Sequence, residues 1–157
     1  ATRALDQIFL TLTGEPVGRP QTLEVMGRSL VIPHAARGVA RFTFAQLCEA
    51  PLGPNDYLEI ALAYHTVLCD GVKKMTIAER NAAKRFITLI DALYDCNARF
   101  ICSAQAPAEA LYHADQGREM FEFERTASRL IEMRSDEYLA RPHGRQHGAT
   151  PQGIVET

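Results

Sequence analysis

Residues 65–104, "HTVLCDGVKKMTIAERNAAKRFITLIDALYDCNARFICSA", decide the fold. "HTVLCD" and "ARFICSA" are short, almost continuously apolar runs, as expected of strands buried on both faces. Between them the sequence changes period. Thr76 and Glu79 make a T-x-x-E capping box, and Phe86, Leu89, Ile90 and Leu93 recur at the spacing of one helical face to about Asp95. A strand–helix–strand unit of this length makes its two strands parallel, with a right-handed crossover. The sequence therefore predicts an α/β fold. In such sheets ligands bind outside the carboxyl ends of the strands. Asp70 ends the first strand and Ser103 the second. A carboxylate and a hydroxyl are thus expected on one rim, as candidates for a metal ion and a phosphate. Asp before Gly and Ser at a strand end are also ordinary turn formers.

Upstream, "ATRALDQIFLTL" reads as a helix with Ala4, Leu5, Ile8, Phe9 and Leu12 on one stripe, starting with so little lead-in that the chain is expected to have been cut or to continue upstream. "TLEVMGRSLVIP" is a hairpin pattern around Met26-Gly27-Arg28, and "GVARFTF" a third strand. Thr43 and Gln46 cap a short helix, and Asp56 with Glu59 open another that runs to about Tyr64. Downstream, Pro107 begins a short helix, "MFEFE" reads as a short strand, and a helix follows from about Arg125. The segment from Arg141 is rich in Gly, Pro, His and Gln, a composition expected to be disordered over 141–157.

The chain has 157 residues, enough for one domain with a real core. Its net charge of −2 argues against a nonspecific nucleic-acid binder. No apolar run reaches the ~18–20 residues that span a bilayer. Cys48, Cys69, Cys96 and Cys102 include no C-x-x-C pair, so no zinc knuckle is expected, and a reducing compartment follows. His65 stands alone before a strand. His143 and His147 lie at i, i+4 outside any expected helix. No G-x-x-x-x-G-K-[ST] phosphate loop occurs.

Two groups of cations stand out. Arg80, Lys84 and Arg85 make the start of the long helix basic, against the helix dipole. Arg125 and Arg129 lie one turn apart, a like-charge spacing unfavourable by about 0.2–0.5 kcal/mol. Either acids of the same chain (Glu122, Asp91 or Glu132) absorb them, or they await an external anion.

The segments "FTFAQLCEAPLGPNDYLEIA", "KRFITLIDALYD", "ICSAQAP" and "FEFERTASRLIEMRSDEYL" together resemble the C-terminal half of the ZapE-like ATPases, over residues 20–142. That family includes the bacterial division protein ZapE and the mitochondrial lactation-elevated ATPases. The resemblance implies a P-loop NTPase-related fold of the AAA+ class, with a βαβ unit, a small antiparallel β element and flanking helices. It implies that residues 1–140 are the C-terminal portion of an enzyme that binds ATP and Mg2+ mainly through upstream residues, with Walker A and B outside this chain. Such a portion would not hydrolyse ATP alone. Arg85 matches the family's R-F-I/V-x-L-I/V-D segment, and Arg125 and Arg129 its R-x-x-S-R-L-x-E-M segment. One of these could sense the γ-phosphate in cis or reach a neighbouring subunit. The implied partners are sister subunits of a homo-oligomer and client or cell-division proteins, with no nucleic acid, in the bacterial cytoplasm or in mitochondria; a place at the membrane periphery is compatible with this. Two positions depart from the family: Lys73-Lys74 stands where Pro is common, and Arg134 where Gln is common. The competing reading is a non-catalytic module that binds a protein through "FTFAQLCEAPLG" and the arginine helix.

Overall fold

The computed structural model describes residues 2–144. Helix α1 (Thr2–Thr13) leads into a hairpin of β1 (Arg19–Val25) and β2 (Arg28–Ala36), then β3 (Val39–Thr43). Helices α2 (Phe44–Cys48) and α3 (Pro54–Ala63) precede β4 (Thr66–Val72), and α4 (Arg80–Asp95) precedes β5 (Arg99–Ala104). Helices α5 (Arg118–Glu132) and α6 (Asp136–Leu139) follow.

The five strands form one sheet in chain order. β1–β2 and β2–β3 are antiparallel, while β3–β4 and β4–β5 are parallel. The expected antiparallel element is thus continuous with the parallel half. A second crossover, β3 to β4 through α2 and α3, accompanies the one read from sequence. Strand alternation divides the core in two. Ala40, Phe42, Val67 and Cys69 face the large cluster under α2 to α5, centred on the fully buried Phe86. Phe86 lies 5.8 Å from Phe123 and 6.0 Å from Phe100, ring to ring. The other face turns Ala36, Val39 and Leu68 toward Leu5 and Phe9 of α1.

Helix starts follow capping chemistry. The Thr43–Gln46 box is reciprocal, at 2.8 and 3.2 Å. Thr76 and Glu79 form the expected box too, opening a 3-10 turn (Ile77–Glu79) that continues into α4. α3 begins earlier than the Asp56–Glu59 pattern suggests. Pro54 supplies the preset first turn, and the Asp56 carboxylate accepts the Gly53 N–H at 2.8 Å from within the helix. Pro107 precedes a 3-10 turn, not an α-helix.

"MFEFE" is helical, not a strand: α5 starts at Arg118. The Phe–x–Phe alternation that suggested a strand splits in the helix. Phe123 is 4% exposed in the core, whereas Phe121 is 67% exposed. β4 likewise runs past Asp70 to Val72. The pairing with β5 shifts between Cys69 and Val72, where Gly71 takes φ +76°, so "CDG" is a bulge within the strand rather than a terminating turn. Arg141–Gly144 are fixed by Arg141–Glu132 (3.5 Å), His143 Nε2 to the Ala61 carbonyl (2.7 Å) and Gly144 N–H to the Cys96 carbonyl (2.8 Å). The rest of the expected disordered segment, including His147, lies outside the described residues.

Candidate functional site

Two polar constellations stand out, one on each face of the sheet. The first is the rim at the carboxyl ends of β3 and β4. In-register pairing puts Thr43 beside Asp70 and Arg41, opposite Leu68, two residue pairs earlier. Alternation turns Arg41 and Asp70 to the α1 face. There Arg41 donates to both Asp70 oxygens, at 2.8 and 2.9 Å, and to Asp6 of α1 at 2.5 Å. The pair is largely buried, 13% and 18% exposed. Its hydrogen bonds to Asp70, with Asp6 in support, hold the Arg41 guanidinium above its ordinary range despite burial. A cavity of about 270 Å³ opens beside it, with Phe9, Val17 and Phe42 as apolar wall and His34 and Gln46 as polar lining. Ser103 Oγ accepts the Gly71 N–H at 2.8 Å and holds the bulge.

This rim does not fit a magnesium–nucleotide site. Both Asp70 oxygens are engaged by a guanidinium, so a divalent cation there would meet a like charge. Arg41 in turn faces two carboxylates, which disfavours a phosphate. Among the described residues, no group of three His, Cys, Asp or Glu side chains could hold a metal ion. Arg41 carried no functional weight in the sequence. The available signal was a cation at the end of a strand whose alternate residues face a helix.

The second constellation joins α4 and α5. Arg125 and Arg129 both reach Asp91, Arg125 Nη2 at 3.1 Å to Oδ2 and Arg129 Nη1 to Oδ1. The Arg129 guanidinium also lies 4.6 Å from the centre of the Tyr94 ring. Glu132 does not pair with Arg129. It accepts the Tyr94 hydroxyl at 2.9 Å and approaches Arg141. Two guanidinium charges thus share one carboxylate, with side chains 51% and 26% exposed. Arg85, one and a half turns earlier on α4, donates to the Cys48 carbonyl at 3.2 Å. It lies apart from the Asp91 cluster in its contacts. Lys84 approaches Glu119 at 3.8 Å, and Lys73, at a departure position, pairs with Glu49 at 2.6 Å.

His65 and the cysteines make their contacts within the fold. His65 contacts the Thr66 hydroxyl and the Arg37 carbonyl. No disulfide joins the cysteines. Burial pushes the thiols of Cys48 and Cys69 far above their ordinary range, and that of Cys102 up to about 11.

The mixed α/β sheet with flanking helices agrees with the comparisons to known proteins. The family model for AFG1-like ATPases matches residues 1–142. The chain belongs to the AFG1-like ATPase family. It is similar to the cell division protein ZapE of Escherichia coli, 36% identical over 143 residues, covering 90% of this chain and 38% of that protein. It is also similar to lactation elevated protein 1 homolog B of Danio rerio, 33% identical over 172 residues, covering 88% and 34%. An uncharacterized protein of Schizosaccharomyces pombe is 33% identical, covering 89% and 37%. The chain thus spans little more than a third of these relatives' length. No solved structure matches it. As a member of this AFG1-like family the chain has bacterial and eukaryotic relatives, and no helix among its described residues is long and apolar enough to cross a membrane.

Proposed function

We propose that this chain, over residues 1–140, is the C-terminal portion of an AAA+ type enzyme that binds and hydrolyses ATP with Mg2+, acting in cell division or protein quality control. The observation that carries this reading is the AFG1-like family match over nearly the whole chain. In this reading the phosphate cradle and metal ligands belong to residues outside this chain, which is compatible with the engagement of Asp70 by Arg41. The contribution of this portion is packing and positive charge. Arg125 and Arg129, with one carboxylate between them, leave a surplus cation on an accessible surface, suited to charge that develops on a γ-phosphate in cis or across a subunit boundary. Arg85 is the third arginine of this set. The enzyme works as a homo-oligomer on client or division proteins, in the bacterial cytoplasm or in mitochondria.

A second reading has an observation of its own. All three arginines have partners within the chain, which suits a bracing role in a non-catalytic interaction module. Steady-state ATP hydrolysis by the longer enzyme separates the two. With Arg129→Ala, loss of an arginine that stabilises the transition state lowers turnover about 10³-fold, with Arg125→Ala and Arg85→Ala ranking the others. Normal turnover with a lowered melting temperature in all three variants assigns them to bracing instead.

A further inference from the structure

We infer that the face of α5 opposite its arginines is a docking groove for a basic, apolar-anchored segment of another protein, an inference that does not depend on nucleotide hydrolysis. Helical geometry sorts the α5 side chains by charge. Arg125 and Arg129 turn toward α4 and Asp91. Met120, Glu124, Ala127 and Ile131 recur at the three- and four-residue spacing of a different stripe. Between that stripe and the segment around Glu109–Ala114 lies an open groove of about 450 Å³.

Its floor is apolar, formed by Met120, Phe123 and Ala127. Ala127 is small, which deepens the groove at its centre. Ile131, a lining residue, is 42% exposed. An apolar side chain left in water within such a groove marks an interaction surface. The ionisable lining is Glu109, Glu124 and the exposed His113, with no lysine or arginine. The Tyr112 hydroxyl, buried in the wall residue, has no hydrogen-bond partner.

These features select the occupant. The stripe from Met120 to Ile131 spans about 16 Å at the helical rise, an open trough rather than an enclosed small-molecule site. Length and apolar spacing suit an amphipathic segment laid along it. The carboxylates select lysine or arginine beside the apolar anchor and repel an acidic segment.

The test is fluorescence anisotropy of the whole protein with a labelled amphipathic Leu–Lys peptide, against the same peptide with every Lys replaced by Glu. The Lys peptide binds and the Glu peptide does not. Glu109→Lys with Glu124→Lys weakens binding about tenfold, and Ser128→Trp, which fills the groove from an exposed position, abolishes it. Glu24→Lys on the distant hairpin leaves it unchanged. All these positions are exposed, and an unchanged melting temperature verifies that each variant is folded. Absence of binding, equal binding of both peptides, or binding unmoved by the groove variants overturns the inference. So does self-association in sedimentation that Ser128→Trp disperses, since the groove would then hold a second copy.

Discussion

Asp56 illustrates how one side chain sets a local balance. It is fully buried, yet it is charged against Arg28 at 2.6 Å and the Gly53 N–H at 2.8 Å. Burial alone would raise its pKa, but these two partners outweigh it and hold the carboxyl below its ordinary value. A carboxylate depressed in the folded state stabilises fully above its unfolded pKa of about 3.9 and loses that contribution as pH falls through the folded value. Asp56→Asn should therefore be less stable than the parent at neutral pH, and the gap should close below about pH 4. Urea midpoints across pH measure it, and a gap constant from pH 7 to 3 would contradict the assignment. Gly38 is constrained by shape instead. It takes φ +78°, and a Cβ there would lie 2.6 Å from the His65 ring. Gly38→Ala is expected to cost about 1–3 kcal/mol, read as a lowered denaturant midpoint with an unchanged slope. Asp91 is the acid that Arg125 and Arg129 share. Its removal leaves two cations one turn apart without their shared acid, and Asp91→Ala should cost about 1–2 kcal/mol in the same measurement.

At the scale of elements, α5 separates what the sequence could say from what it could not. The strand-like "MFEFE" has two phenylalanines at i and i+2, which fit a strand by period alone. The register of a longer helix assigns them opposite fates, and only packing on Phe86 reveals it. Phe123→Ala should then cost about 3–5 kcal/mol, while Phe121→Ala should change stability by no more than about 0.5 kcal/mol. Equal effects in thermal melts would argue that the segment is not helical. The β4–α4–β5 crossover was legible because buried parallel strands are continuously apolar and α4 carries its own cap and stripe. The β3–β4 crossover was not, because a five-residue strand followed by two short helices carries no signal of which strand it joins. The same limit applied to the sites. Asp91 is 34 and 38 residues from the arginines it pairs, so sequence offered it only as one of three acids, and Arg41 meets Asp70 only through strand register.

For the whole molecule, the single sheet couples its two cores. α1 packs on residues that share strands with the larger cluster, and on that face Arg41 ties Asp6 of α1 to Asp70 of β4. Far-UV circular dichroism and tyrosine fluorescence should accordingly report one coincident unfolding transition; two separated midpoints would mean that α1 releases independently. The position of β4 carries this further. It is the strand bonded on both sides by parallel neighbours and roofed on both faces, with Thr66, Val67, Leu68 and Cys69 almost wholly inaccessible. No local opening can bare its amides without dismantling both layers. In deuterated solvent the protons of Val67 to Cys69 are therefore the last to be replaced, and their rate measures the free energy of the entire fold.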